Sequence, residues 1–285
     1  WGGTDGSHQI NFSGTNDMSP NFVWIKERGT NSHWLFDSVR GVQKYLHSNT
    51  NAAEATNSNS LTAFGSDSFT IGSEGAINAG GVNFIGWSWK ESATAGFDIV
   101  SYTGNGANRT IAHNLSPLIP KMIIFKNRAR GDNWDTYHHS IGNGSAIFLN
   151  STSAPDDQTL YFNDTTPTSS VFTIGTNTSL NANTEACIAY VFADVQGFSK
   201  FGSYVGNGNA DGTMIVTGMR PAFVICKNIS GTGNWGIKTA KSQAYNGADV
   251  TLFANSTGGE GAFSDNKVDL LSNGFKIRTA SSDFN

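Results

Sequence analysis

One pattern recurs three times along this chain of 285 residues, and it limits what the chain can fold into. Each copy consists of a proline, an apolar run that ends in lysine, a polar turn and a tryptophan. The prolines are Pro20, Pro120 and Pro221, and the tryptophans are Trp34, Trp134 and Trp235. Both series are spaced by 100 and then 101 residues. A period held this closely indicates an internal repeat. We therefore predict three units, at residues 1–96, 97–197 and 198–285, with the three tryptophans in equivalent positions.

Short apolar runs alternate with turns rich in glycine and asparagine, and helix signals are almost absent. Asp5-Gly6, Asn105-Gly106 and Asn207-Gly208 stand between strand-like pieces, and such pairs favour the positive φ of a tight hairpin turn. This pattern predicts an all-β fold of three tandem β-sandwich or jelly-roll-like repeats, each of about 100 residues.

The apolar run after each proline carries apolar side chains on both faces of the predicted strand, as in residues 22–25. Strands with this pattern are covered on both faces, so we expect these three strands to lie in the centre of the fold. Each run ends in a lysine, at Lys26, Lys126 and Lys227. We interpret these charges as marking the point where the strand leaves the core for solvent.

Composition excludes several classes of function. Charged residues make up 14% of the chain and the formal net charge is −4, so there is no basic surplus to neutralise the phosphates of a nucleic acid. No apolar run approaches the ~20 residues of a membrane span, and we expect no membrane insertion. Cys187 and Cys226 lie in apolar strands where another copy carries a large apolar residue. We therefore predict two buried free thiols and no disulfide.

The third copy is shorter than the others. The first two copies continue after Asn78 and Asn181 into a long apolar strand, whereas the third stops at Asn285. We expect the third unit to lack its last strand. Two explanations stay open: the repeat continues in a longer polypeptide, or an adjacent chain fills the gap by strand addition.

Six segments of the chain form a further pattern because they occur in a fixed order. They are Pro20 to Lys26, Trp34 to Gly41, Ser101 to Gly106, Phe201 to Gly208, Arg220 to Val224 and Leu271 to Arg278. Together they resemble a domain that is repeated in predicted tail-fibre and other virion surface proteins of bacteriophages, especially phages of marine bacteria and cyanobacteria. The resemblance covers nearly the whole chain.

The resemblance implies a non-enzymatic protein of the virion surface, extracellular, that takes part in host attachment. The expected partners are a host cell-surface glycan and other virion proteins, and we expect a homo-oligomer. Two alternatives stay open: a purely structural fibre shaft or capsid decoration protein, and a glycan depolymerase. The resemblance carries no established catalytic or binding residues.

Neighbouring histidines and pairs of carboxylates are the side chains that could carry chemistry. The neighbouring His138 and His139 point to opposite faces of a strand and cannot easily chelate one ion, so we predict no metal and no cofactor. Carboxylate pairs that glycoside hydrolysis would need, such as Asp132 with Asp135 and Asp37 with Glu54, do not recur between copies. We predict no catalytic residues.

The remaining candidate site is a glycan site, because sugars stack on aromatic rings beside asparagine or aspartate side chains. The candidate ligand-binding residues are Trp34, Asp132, Asn133, Trp134, Asn234 and Trp235. The alternative is that a tryptophan kept at one strand position belongs to the core, with its N–H satisfied locally.

Overall fold

The structure is a computed structural model that describes residues 1–14, 17–243, 246–262 and 266–285. It is 40% strand and 3% helix, so the prediction of an all-β protein is confirmed. In chain order the elements are β1 (His8–Asn11), β2 (Phe22–Glu27), β3 (His33–Asp37), β4 (Lys44–Tyr45), β5 (Ala55–Thr56), β6 (Leu61–Phe64), β7 (Ser68–Ile71), α1 (Gly75–Asn78), β8 (Phe84–Trp89), β9 (Phe97–Thr103), β10 (Arg109–Ala112), β11 (Pro120–Asn127), β12 (Asp135–His138), β13 (Gly142–Phe148), β14 (Asp156–Asp157), β15 (Val171–Ile174), α2 (Thr178–Asn181), β16 (Ala186–Ala193), β17 (Met214–Val216), β18 (Phe223–Lys227), β19 (Trp235–Thr239), β20 (Val250–Phe253), β21 (Gly261–Ala262), β22 (Val268–Leu271) and β23 (Gly274–Ile277).

We call residues 1–96, 97–197 and 198–285 the first, second and third segments. The first contains the sheets β1-β7-β6 and β3-β2-β8 and the pair β4-β5. The second contains the six-stranded sheet β14-β13-β12-β11-β16-β9 and the pair β10-β15. The third contains β17-β23-β22 and β18-β19-β20-β21. Strand pairs within these sheets are antiparallel. In all three segments, the strand after the repeated proline pairs with the strand that begins after the polar turn.

Each segment has a local hydrophobic cluster, and a fourth cluster is shared by all three. The local cluster of the first segment takes side chains from both of its larger sheets, including Val23, Ile25 and Phe69. The shared cluster takes side chains from every segment, for example Phe22 and Trp24 from the first. Because neighbouring side chains on a strand point to opposite faces, β2 contributes to both clusters at once. This accounts for the predicted covering on both faces, and residues 22–25 are at most 4% exposed.

Trp34 does not occupy the position predicted from the spacing of the tryptophans. Lys227 is the register partner of Trp235, whereas Lys26 is the partner of His33. The turn of the first segment is therefore one residue shorter, and Trp34 lies one step further along its strand. A shift of one residue turns a side chain to the other face of the sheet. His33 consequently takes the position of Trp235, and Trp34 packs in the local cluster.

The lysines that end the central strands do not mark an exit to solvent. Lys26 and Lys126 are 0% exposed, and Lys227 is half-buried. The prediction failed because the turn after each strand folds back over the lysine and surrounds its ammonium group with backbone carbonyls, described below.

Both helices have four residues, and within the described residues no helix is long and apolar enough to cross a membrane. Cys187 and Cys226 are free and buried, as predicted from the sequence.

Candidate functional site

The three tryptophans of the candidate glycan site lie in hydrophobic clusters. Trp34, Trp134 and Trp235 expose 6%, 0% and 3% of their surface. Trp34 packs against Tyr45, with ring centroids 4.0 Å apart, and the other two belong to the shared cluster. None of these rings offers a face to a sugar, so stacking on them is not available in this structure. The burial matches the alternative interpretation, in which the tryptophans are core residues.

Asn133 and Asn234 lie in the turns that follow β11 and β18, and each is held by a second asparagine. The Nδ2 of Asn150 donates to the Oδ1 of Asn133, and the Nδ2 of Asn255 donates to the Oδ1 of Asn234, both at 2.9 Å. The structure therefore brings two candidate residues together with asparagines outside the candidate list. Asn133 is exposed and Asn234 is half-buried.

The second asparagine of each pair also fixes the start of the next strand. The Oδ1 of Asn150 accepts the backbone N–H of Trp134, and the Oδ1 of Asn255 accepts that of Trp235, each at 2.9 Å. In the first segment the Oδ1 of Asn49 accepts the backbone N–H of His33 at 2.9 Å. An asparagine side chain can accept and donate at once, so one residue joins the turn, the strand and the following loop. In the sequence, the recurrence of Asn49, Asn150 and Asn255 was the only sign of this role.

Lys126 holds the turn of the second segment against the first segment. Its Nζ donates to the carbonyl oxygens of Arg130 at 3.3 Å and Asp132 at 2.8 Å, within its own turn. It also donates to the carbonyl oxygen of Asn51, at 3.1 Å. Burial lowers the pKa of Lys126 to about 8. The ammonium group thus has three carbonyl acceptors, one of them from another segment.

Lys227 makes the corresponding contacts one segment later. Its Nζ donates to the carbonyl oxygens of Gly233 at 3.0 Å and, in the second segment, Thr152 at 3.2 Å. Lys26 donates to the carbonyl oxygen of Gly29 at 2.6 Å. In all three turns the lysine thus donates to a backbone carbonyl oxygen of the turn that follows it. The side chains of Asn133 and Asn51 remain exposed.

The charged side chains of the second turn are paired with one another. Arg130 forms ion pairs with Asp132 and with Glu185. Asn127 donates to Glu185 at 2.6 Å. Asp132, the acidic candidate residue, is thus engaged within its own turn. The surface here offers hydrogen-bonding amides beside one guanidinium group that is shared by two carboxylates.

The carboxylates singled out for hydrolysis are not arranged as an open pair. Asp135 is 1% exposed, accepts a hydrogen bond from the hydroxyl of Ser179, and has a pKa raised by burial to about 7. Asp37 and Glu54 are separated by Arg40, which forms ion pairs with both. These carboxylates are thus engaged in hydrogen bonds and ion pairs with neighbouring side chains.

The histidine pair is also accounted for by local contacts. The rings of His138 and His139 are 5.1 Å apart, and the Nε2 of His139 lies 3.2 Å from the carbonyl oxygen of Phe201. Burial lowers the pKa of His138 to about 4. Throughout the described part of the chain, no group of three or more histidine, cysteine, aspartate or glutamate side chains is placed to hold a metal ion.

Comparisons with known proteins give a family and no function. No curated protein matches the chain, and no solved structure matches it. One family model, described as a domain of unknown function, matches residues 1–285. Because the match extends over the whole sequence, the chain belongs to the DUF7483 family of domains of unknown function.

Proposed function

We propose that the protein is a non-enzymatic virion surface protein of a bacteriophage, a tail fibre or appendage, built from three β-sandwich units and used for host attachment through a glycan. The observation that carries the proposal is that each central strand ends in a polar turn held by hydrogen bonds from a lysine and an asparagine. The proposed location on a bacteriophage virion comes from the resemblance to repeated phage domains.

The division into three β-sandwich units is supported by contacts that recur outside the turns as well. Asn78, Asn181 and Asn285 occupy matching places in the three segments. The Nδ2 of each donates to the carbonyl oxygen six residues before it, at 2.7, 2.6 and 2.6 Å. A recurrent hydrogen bond of this kind is what three copies of one unit would retain.

A glycan is the ligand that best fits the chemistry of the turns. Sugar hydroxyls both donate and accept hydrogen bonds, and asparagine amides and threonine hydroxyls do the same. Asn133, Thr152 and Thr232 are exposed at the turns and the loops they contact. The lysines and asparagines beneath them fix the backbone, so that little conformational entropy is lost on binding.

Binding to polysaccharide separates the proposal from its alternatives. The protein would be incubated with surface polysaccharides of marine bacteria and cyanobacteria, and both retention and release of oligosaccharides would be measured. Retention without cleavage is expected. Released oligosaccharides would establish a depolymerase instead, and neither retention nor cleavage would leave the structural role.

Matched variants locate the binding surface. Asn133→Ala combined with Asn234→Ala removes two turn amides, and we expect it to lower retention. Asn11→Ala changes an exposed asparagine on β1, outside the turns, and should leave retention unchanged. Equal retention by both variants would place binding elsewhere on the protein.

A further inference from the structure

The indole N–H groups of the shared cluster connect consecutive segments in the same way. The Nε1 of Trp134 donates to the carbonyl oxygen of His47 at 2.9 Å, in the first segment. The Nε1 of Trp235 donates to the carbonyl oxygen of Phe148 at 2.8 Å, in the second segment. Each acceptor lies two residues before the asparagine that fixes the strand start in its own segment. Both bonds thus join equivalent atoms of a segment and the one before it.

The first segment makes the same contact with the third. His33 occupies the position of the tryptophan, and its Nε2 lies 3.1 Å from the carbonyl oxygen of Phe253. The Nε1 of Trp24 donates to the Nδ1 of His33 at 2.8 Å, so the Nε2 carries the proton and donates. Burial lowers the pKa of His33 to about 3, which keeps the ring neutral. Phe253 again lies two residues before its asparagine, Asn255.

An ion pair and a backbone hydrogen bond also join one segment to the preceding one in two places. Arg128 pairs with Glu54 at 2.9 Å, and the backbone N–H of Glu54 donates to the carbonyl oxygen of Arg128 at 3.0 Å. Arg28 pairs with Glu260, and the backbone N–H of Glu260 donates to the carbonyl oxygen of Arg28 at 2.7 Å. The contact between the first and third segments therefore matches the contact between the second and first.

We propose that the chain is a single-polypeptide counterpart of a cyclic homotrimer, closed into a ring by the contact of its first and third segments, and that it binds a repetitive glycan at three composite sites. Each site combines the polar turn of one segment with a loop of the preceding segment. Lys126 joins the second turn to Asn51, Lys227 joins the third turn to Thr152, and Arg28 joins the region of the first turn to Glu260. Rotation about the pseudo-threefold axis carries each turn onto the next, so the three sites lie at one end of the ring. The three-site binding rests on the proposed function, whereas the ring does not.

The ligand class follows from the repetition. A polysaccharide presents the same sugar unit many times, and three linked sites bind it with an avidity of ~10²–10⁴ over one site. A ligand present once per target would gain nothing from the second and third sites. Two of the sites have turns that end in Asn133 or Asn234, and each of these residues is paired with a second asparagine. The first site has Ser32 instead, whose hydroxyl oxygen accepts a hydrogen bond from the Nδ2 of Asn49 at 3.2 Å.

Cross-linking of the full chain tests the ring without any ligand. Arg28→Cys with Glu260→Cys probes the closing contact, and Arg128→Cys with Glu54→Cys is the matched control between consecutive segments. Treatment with a short bismaleimide at nanomolar protein is expected to cross-link both pairs within single chains. Cross-linking of the control pair alone, or of the first pair only between chains, would overturn the ring. X-ray scattering of the unsubstituted protein should also give the radius of gyration of a compact particle, ~19 Å for this length.

Binding stoichiometry tests the three sites. The probe is a short oligosaccharide made by partial acid hydrolysis of whichever polysaccharide the protein retains. Calorimetry is expected to give three oligosaccharides per chain, and Asn133→Ala should reduce that number to two. One per chain would overturn three-site binding while leaving the proposed function intact. No retention of any polysaccharide would overturn both, and the cross-linking result would still decide the ring.

Discussion

Replacing Trp134 tests whether the shared cluster holds the segments together. The ring is 0% exposed, and its Nε1 donates to the carbonyl oxygens of His47 at 2.9 Å and Thr50 at 3.1 Å, both in the first segment. Trp134→Ala therefore removes packing and hydrogen bonds from one contact between segments.

The size of the effect follows from these contacts. Truncating a buried tryptophan to alanine lowers the free energy of unfolding by ~3–5 kcal/mol, because a cavity remains. Trp134→Phe keeps most of the apolar ring and loses the N–H, so a smaller loss of ~1–3 kcal/mol is expected from the unsatisfied carbonyl oxygens. With a total stability of ~5–15 kcal/mol, the alanine variant should be visibly weakened.

Urea unfolding followed by circular dichroism and by tryptophan fluorescence measures both variants. Phe198→Ala is the control, since that aromatic side chain is 60% exposed, and it should change stability by no more than ~0.5 kcal/mol. A loss below about 1 kcal/mol for Trp134→Ala, outside the range that buried truncations give, would refute the reasoning. A second, unshifted transition would show that the segments unfold independently of this cluster.

Three further changes test individual buried groups. Arg40→Met leaves the carboxylate of Asp37 buried without its counter-charge and should cost ~3–5 kcal/mol in urea unfolding; adding Asp37→Asn should recover part of that loss, and no recovery would contradict the pairing. The pKa of Asp135 is raised from 3.8 to about 7, so its contribution to stability is present below pH 4 and lost as the pH rises through 7. Asp135→Asn should therefore flatten the decline of Tm between pH 4 and 7, and a parallel curve would count against this assignment. Burial raises the pKa of Cys187 and of Cys226 to about 11, so neither thiol should react with a disulfide reagent at pH 8 until urea unfolds the protein; labelling of the folded protein would show that a thiol is accessible.

The strands were predictable because their signals are local. The run from Phe22 to Ile25 has apolar side chains on both faces, and the structure buries them on both faces. The sequence predicts that both faces of this strand are buried. It does not predict which residues bury them, because the residues of the shared cluster come from segments far apart in the chain. The burial of the lysines is not predictable from the sequence for a related reason. A charge at a strand end usually meets water, and only the folded turn reveals the carbonyl oxygens that replace water around Lys126.

The candidate site was harder to predict than the fold. Trp34 kept the repeat spacing by coincidence, since a turn one residue shorter places His33 where the other segments have tryptophan. Residue type therefore pointed to the wrong position, and only the pairing register corrects it. The asparagines that support Asn133 and Asn234 were visible as recurring residues. Each of these asparagines connects a turn to a strand by a hydrogen bond between residues that are 16 or 20 positions apart in the sequence. A local sequence pattern does not predict contacts over such a separation.

The bond from His33 to Phe253 has a consequence for how this protein can change over evolutionary time. In an open array of repeats each copy contacts only its neighbours, so duplication or deletion of a copy leaves the remaining contacts intact. Here the first and third segments contact each other, and the bond from His33 to Phe253 takes the place that the indole N–H bonds of Trp134 and Trp235 have between the other segments. In the ring that we propose, inserting or removing a segment would change the angle at every contact between segments. Such a ring therefore tolerates a change in the number of segments less well than an open array does.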